Sequence, residues 1–349
     1  MKNLLIDIYK ANDLFSGLGQ FSNNFAHEII RQNISDYEIS FLTPKGYKID
    51  SDKVQQLQVN LLRRYFPTSN SGFDIWHSLY QFPSFFPDKK TKQILTIHDL
   101  NFLIEKRDGP KKKYLSRLQK NVDRADVVTT ISHYSKKLIE ENLELRNREI
   151  NVVYNGVYLR SFVDPKKPRY CDERKFFFSL GVFKHKKNFH VLLPILDRFK
   201  DHTLIIAGNN ETEYGAEIRE LVKRSNLVDR VILPGTISDE DKFYLYKNCE
   251  AFLFPSVAEG FGMPLIEAMN IGKPIFISDH CSLPEIAGDH AFYFSSFDKE
   301  DMVSVIENSM ADYSKNTTER AESMKEHAEQ FSWENCIKEY LEIYRKIER

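Results

Sequence analysis

The feature that most constrains this chain is a rhythm that runs twice. Short β-type runs alternate with helical patterns, a charged break interrupts them, and the alternation then starts again. In the first half the strand-like runs are residues 4–8, 38–42, 74–77, 93–97, 126–130 and 150–154. Phe21, Phe25, Ile29 and Ile30 recur at helical spacing after the first of them. Such alternation predicts a parallel sheet with helices on its faces, because parallel neighbours need a long crossover. The break, residues 164–174, reads D-P-K-K-P-R-Y-C-D-E-R and has linker composition. The second half repeats the pattern at residues 176–181, 202–208, 230–235, 251–256, 274–278 and 291–294. The expectation is therefore an α/β chain with two doubly wound, Rossmann-like domains. Its expected parts are residues 1–163, a linker at 164–174, residues 175–330 and a tail helix at 331–349. Trp333, Cys336, Ile337, Tyr340, Leu341 and Tyr344 fall on one face of that helix, which is expected to pack back toward the N-terminal domain.

Length and charge agree with this division. The chain has 349 residues, enough for about two domains. Its formal net charge is -1, so nothing global points to nucleic acid. Cys171, Cys249, Cys281 and Cys336 stand far apart, which reads as free thiols in a reducing compartment rather than a zinc site. Asp7 interrupts the first apolar run too early for a signal peptide, and no run is long and apolar enough to span a bilayer. A cytoplasmic protein is expected. The basic run K-K-K-Y-L-S-R-L-Q-K at 111–120 reads foremost as a solvated helix face; its other reading is a peripheral contact with the inner face of a membrane or a lipid phosphate.

The most informative segment is P-S-V-A-E-G-F-G-M-P-L-I-E-A-M at 255–269, which follows a strand and opens a helix. Gly260 and Gly262 permit a sharp turn, and Pro264 suits the first helical turn. The unbonded N–H groups of that turn suit an anion or sugar hydroxyls. Glu259 and Glu267 offer two carboxylates to diols. Spacing alone is equally consistent with a plain strand-to-helix turn. G-V-F-K-H-K-K-N at 181–188 leaves the first strand of the second half, where a lysine can neutralise a diphosphate leaving group. His98 follows the strand at 93–97, a position that faces the ligand crevice of a doubly wound sheet. His77, at the end of the preceding strand, is assigned more weakly to the same crevice on the acceptor side. Gly17-Leu18-Gly19 lacks the third glycine of a dinucleotide fingerprint, which argues against NAD.

The segment E-G-F-G-M-P-L-I-E from Glu259 to Glu267, with L-P-G-T-I-S-D-E-D before it and S-L-P-E-I-A-G-D after it, resembles the retaining glycosyltransferases of GT-B fold, in particular family 4. The resemblance covers nearly the whole chain and is densest in the second half. It implies two Rossmann-like domains facing each other across a cleft. It also implies transfer of a hexose, mannose favoured, from a nucleotide-diphosphate sugar to a glycan or lipid-linked acceptor in bacterial surface polysaccharide synthesis. Under it Glu259 contacts the donor sugar, the backbone of Gly260, Phe261, Gly262, Met263 and Pro264 meets sugar or phosphate, and Glu267 holds the ribose. Lys187 and Asn188 match the family's cationic position, ahead of Lys184 and Lys186. The arginine many members carry is replaced by Val182. Pro234 to Ile237, with Gly235 and Ile237 in contact, would back the base, and backbone contacts leave UDP and GDP unseparated. Gly17 and Gly19 would approach the donor phosphates. His98 would hydrogen-bond a sugar hydroxyl, with Asp99 orienting it or capping the next segment. The implied catalytic set is His98, Lys187 and Glu259. No cofactor beyond the sugar nucleotide is implied, and with no D-x-D at a strand end no metal is required. An epimerase or phosphorylase on the same architecture, and a non-catalytic sugar-nucleotide-binding subunit, are the alternatives.

Overall fold

The computed structural model describes residues 1–13, 16–32, 34–146, 148–158 and 162–347. The chain forms two compact units, one made of Met1–Gly156 with Phe331–Arg349 and the other of Val157–Gln330.

In the first unit the apolar runs become β1 (Lys2–Asp7), β2 (Tyr37–Thr43), β3 (Gln55–Gln58), β4 (Ile75–Ser78), β5 (Lys92–Ile97), β6 (Val127–Thr130) and β7 (Ile150–Val152). Every neighbouring pair is parallel, and the sheet order is β3-β2-β1-β4-β5-β6-β7. β3, of sequence Q-Q-L-Q, has no β-type run to announce it; at the sheet edge it is held by its register with Ser40–Thr43. The chain order reverses between β1 and β4, which makes their carboxyl ends the switch point of the sheet.

The helix Trp333–Ile347 completes this unit's core. Trp333, Ile337, Tyr340 and Tyr344 are buried with Leu4, Ile6, Phe21, Phe25 and Ile75. Gly156 lies so close under Trp333 that a Cβ there would meet the indole at 2.4 Å. Residues 348 and 349 of the expected tail helix lie outside the described residues.

The second sheet consists of β8 (Lys175–Leu180), β9 (His202–Ala207), β10 (Val231–Gly235), β11 (Ala251–Phe254), β12 (Ile275–Ser278) and β13 (Phe292–Phe294). It is all parallel, in the order β10-β9-β8-β11-β12-β13, so its switch point lies between β8 and β11. Its core is aromatic, with Phe177, Phe183, Phe189, Phe276 and Phe294 buried together. The second unit starts at Val157, ahead of the expected 175, and takes in residues 164–174. Phe162 meets Phe243 at 5.7 Å, the Lys166 N–H donates to Glu240, and the Arg174 guanidinium donates to the Asp229 carbonyl at 2.6 Å.

Candidate functional site

At the second sheet's switch point two loops emerge side by side, a basic one after β8 and one carrying Glu259 after β11. Behind β8 the chain makes a short 3-10 turn at His185–Lys187 and leaves it through Asn188, whose backbone is left-handed (φ 56°). Asparagine tolerates that conformation, so Asn188 aims the turn that carries Lys187. Behind β11 the chain passes Ser256 and Glu259 into the helix Met263–Ile271, whose N-cap is Gly262 at φ 112°. A side chain would be strained at that φ, and its Cβ would stand 3.0 Å from Leu283. The Val257 N–H donates to the Lys186 carbonyl at 2.8 Å, with the Ser256 hydroxyl oxygen 3.0 Å from the same carbonyl, which fixes one loop on the other.

The result is an ion pair of 2.6 Å between Lys187 Nζ and Glu259 Oε1, with each side chain 12% exposed. The Ser256 hydroxyl donates to the same carboxylate oxygen at 2.5 Å, and Lys187 Nζ lies 4.6 Å over the Phe254 ring. Burial pushes the Glu259 carboxyl up, but the charges of Lys187 and Lys186 and the hydrogen bonds outweigh it and hold the group below its ordinary value. Lys186 therefore contributes a second cation near Glu259, while Lys184 is exposed.

Glu267, one helical turn and more beyond the loop, is also engaged. Lys242 Nζ binds its Oε1 at 2.7 Å and the Tyr246 hydroxyl donates to its Oε2 at 3.0 Å. Both glutamates are thus pre-oriented by lysines, and a ligand diol must share or displace those partners. Lys242 and Tyr246 were not read from the sequence, since they come from the helix Asp239–Asn248 at no motif spacing, and Ser256, three residues before Glu259 in the same segment, was not read as its partner. Neither was Cys281, whose Sγ accepts from the Glu259 N–H at 3.1 Å, or Ser282, whose hydroxyl donates to the Glu259 and Phe261 carbonyls, each at 3.1 Å. Gly260, Phe261 and Gly262 are buried, while Met263 and Pro264 are half-buried at the start of the helix.

A cavity of about 610 Å³ opens where β9 and β10 end, lined by residues that include Asn210, Glu211, Arg219, Pro234, Gly235 and Thr236. Gly235, expected to back the base, lines it; Ile237 does not. Asn210 is buried, and its side-chain N–H₂ donates to the Leu233 carbonyl at 3.3 Å. Next to this cavity Gly208 (φ 127°) approaches the Gly181 carbonyl so closely that a Cβ would fall 2.1 Å from that oxygen.

In the first unit His98 lies one residue beyond β5 and is half-buried. Its Nε2 lies 2.8 Å from the Leu79 carbonyl, which can only accept, so Nε2 carries the proton and Nδ1 is the ring's acceptor. Burial lowers its pKa, against the opposing effects of Leu79 and Asp99, which favours the neutral ring. Asp99 caps the following segment by accepting from the Asn101 N–H at 2.9 Å.

His77 does not face a crevice. It is fully buried, with Nδ1 2.7 Å from the Tyr344 hydroxyl and Nε2 2.8 Å from the Thr96 hydroxyl, and burial takes its pKa down to about 3. It is a core histidine beneath the terminal helix. Gly17 is exposed at the start of the helix Gly17–Arg31, whereas Gly19 is buried against the Asp13 carbonyl. The sequence reading passed over Asp7 as a site residue. It closes β1 at the first sheet's switch point, and burial raises its carboxyl to about 7 despite the Tyr9 N–H and Lys10.

All four cysteines are free. Among the described residues, no group of three or more His, Cys, Asp or Glu is placed to hold a metal, and no helix is long and apolar enough to cross a membrane.

Two family models match. Residues 162–331 match the glycosyl transferases group 1 and residues 30–160 match glycosyltransferase family 4. O-antigen chain mannosyltransferase B of Escherichia coli is 28% identical over 289 residues, covering 77% of this chain and 74% of that protein. O-antigen chain mannosyltransferase RfbU of Salmonella typhimurium is 28% identical over 217 residues, covering 62% of this chain and 60% of that protein. Among solved structures, the sucrose-phosphate synthase of Thermosynechococcus elongatus superposes with a TM-score of 0.79 at 16% identity, covering 99% of both chains. Anabaena HepE in complex with UDP and glucose superposes with a TM-score of 0.71 at 16% identity, covering 100% of this chain and 99% of that one. These structures share the fold.

Proposed function

Because the chain belongs to the GT-B glycosyltransferases, we propose that it transfers a hexosyl group, mannosyl favoured, from a nucleotide-diphosphate sugar to a glycan or lipid-linked acceptor in bacterial surface polysaccharide synthesis. The observation that carries this reading is the buried Lys187–Glu259 pair at the switch point of the second sheet. A cation and a carboxylate held together there match the two demands of a sugar diphosphate, charge on the leaving group and hydroxyls on the ring. The mannosyl preference rests on the names of the O-antigen relatives.

In this reading the diphosphate takes Lys187 as its counter-ion, together with the first turn of the helix Met263–Ile271. Glu259, released from Lys187, accepts from a hydroxyl of the donor sugar, and Glu267 accepts from the ribose diol. The base occupies the cavity beside Gly235 and Asn210. His98 Nδ1 accepts a hydrogen bond from a sugar hydroxyl. Configuration is retained, with the leaving phosphate taking the acceptor proton.

The proximity of Lys186 to Glu259 supplies a second cation where Val182 replaces the family's arginine, which favours an active enzyme over a non-catalytic subunit. The test is a thermal-shift screen of GDP- and UDP-sugars followed by a transfer assay with the stabilising donor. A true donor raises the melting temperature of the wild type and not that of Lys187→Met. Equal stabilisation of both proteins, or none by any sugar nucleotide, refutes the proposal.

A further inference from the structure

Gln81 is a polar side chain in a place where polarity is costly. It follows the end of β4 by three residues and is buried in the first unit, 6% exposed. An amide shut away from water persists where its hydrogen bonds are made inside. Gln81 makes them on the two residues that follow β5. Its Nε2 donates to the Asp99 carbonyl at 2.9 Å, and its Oε1 accepts from the His98 N–H at 3.2 Å. The amide has one workable orientation, because the flipped one would set N–H against N–H and oxygen against oxygen.

The same loop holds the ring. The Leu79 carbonyl, two residues before Gln81, takes the His98 Nε2–H at 2.8 Å. Main chain and imidazole of His98 are thus gripped from one segment, residues 79–81. That segment is itself anchored. Asn121, buried on the helix Asp108–Arg124, donates to the Gln81 carbonyl at 2.9 Å. From the helix His133–Asn142 the Ser135 hydroxyl donates to the His98 carbonyl at 3.2 Å. The Phe21 ring meets the imidazole edge to face at 5.0 Å.

These contacts leave the imidazole little choice. With Nε2–H committed to Leu79, Nδ1 is the acceptor, and turning the ring would strand the Leu79 carbonyl. The Leu79 contact pins only one atom of the ring. The direction of Nδ1 is set once the His98 main chain is held too, and Gln81 holds it. We infer that Gln81 is a positioning residue: through the His98–Asp99 main chain it keeps the imidazole in the Nε2–H form with Nδ1 aimed for its work. The inference rests on the reading that His98 Nδ1 accepts from a sugar hydroxyl. A purely structural Gln81 would lower stability when replaced and leave the ring as it is.

The test is Gln81→Met, which keeps the length of the side chain and removes both hydrogen bonds. Tyr47→Phe is the control, since it deletes a different hydrogen bond of the first unit, from the Tyr47 hydroxyl to Asn23 at 2.6 Å. NMR of the nitrogen-labelled full chain, with His98 assigned by His98→Gln, reads the tautomer. Wild type and Tyr47→Phe are expected to show a protonated Nε2 and an unprotonated Nδ1. In Gln81→Met the two nitrogen shifts should move toward each other as the tautomers interchange. Asn121→Ala, which loosens Gln81 and leaves its amide intact, should move them the same way by less. Hydrolysis of the sugar nucleotide that stabilises the wild type, followed as release of its nucleoside diphosphate, gives the second readout. Its kcat should fall roughly tenfold to a hundredfold in Gln81→Met, with KM changed by less than about threefold. The inference fails if the His98 shifts of Gln81→Met, or of Asn121→Ala should Gln81→Met not fold, match the wild type. It fails if Tyr47→Phe alters them equally, or if kcat survives in Gln81→Met while His98→Gln abolishes it. Full activity of His98→Gln would instead overturn the sugar-hydroxyl reading, and the tautomer result would then decide the role of Gln81.

Discussion

Replacing Lys187 with Met removes the main counter-ion of a carboxylate that stays inside. Breaking a buried pair by deleting one partner costs roughly 3–5 kcal/mol. Glu259 keeps the Ser256 hydroxyl and the field of Lys186, so about 2–3 kcal/mol is expected at pH 8. For a unit the size of Val157–Gln330 that corresponds to a fall in melting temperature of about 4–12 °C.

The pH dependence is the sharper part. In the wild type Glu259 is held below its ordinary pKa. Its contribution to stability is therefore present above the unfolded value and fades as pH falls through the folded one. In Lys187→Met burial dominates and raises the folded pKa. The carboxyl then costs nothing below its unfolded value and becomes destabilising as pH rises through the new, higher one. Melting curves at pH 5 and pH 8 should show the gap between wild type and variant widening toward pH 8. Adding Glu259→Gln to Lys187→Met should close most of that gap. Parallel pH profiles for wild type and Lys187→Met would refute the claim that the two groups neutralise each other inside the protein.

Three further outcomes are expected. Gly208→Ala forces a Cβ onto the Gly181 carbonyl at a left-handed φ and should destabilise the second unit by at least about 2 kcal/mol, read as its melting temperature; a neutral result would mean the two loops can part. Asp7→Asn should stabilise the first unit increasingly as pH rises from 5 to 8, because the folded pKa of about 7 makes ionisation of Asp7 costly there, by roughly 3–4 kcal/mol at most; urea unfolding at the two pH values measures it. Glu267→Gln removes the charge that Lys242 and Tyr246 orient and should weaken nucleotide-sugar affinity about tenfold by calorimetry, with little change in melting temperature.

The strand positions were legible because buried parallel strands are written as short β-branched and aromatic runs, and both sheets follow those runs closely. β3 was not, since Q-Q-L-Q owes its place to pairing at the edge rather than to composition. The two histidines differ by one residue of context. His98 lies past the last residue of β5 and escapes the pleat. His77 lies within β4, where alternation decides the face, and that face receives Tyr344 from the far end of the chain. The glutamates and Lys187 stood out by motif, yet Lys242 and Tyr246 are long-range neighbours that no local pattern records, and the contact from Ser256, three residues before Glu259, depends on how the loop turns. At residues 61–66 local hydropathy alone would say core, yet Leu61, Leu62, Tyr65 and Phe66 are exposed.

The helix Trp333–Ile347 supplies the layer that Phe21, Phe25 and His77 pack against, and it is synthesised after all of Val157–Gln330. At ribosomal speeds of about 5–20 residues per second, the opening half waits roughly 10–35 s for its missing wall. The unit encoded second can mature first, while the earlier one emerges with aromatic side chains uncovered. Mutations near residue 340 should therefore lower cellular yield through the nascent chain, even where the finished enzyme tolerates them.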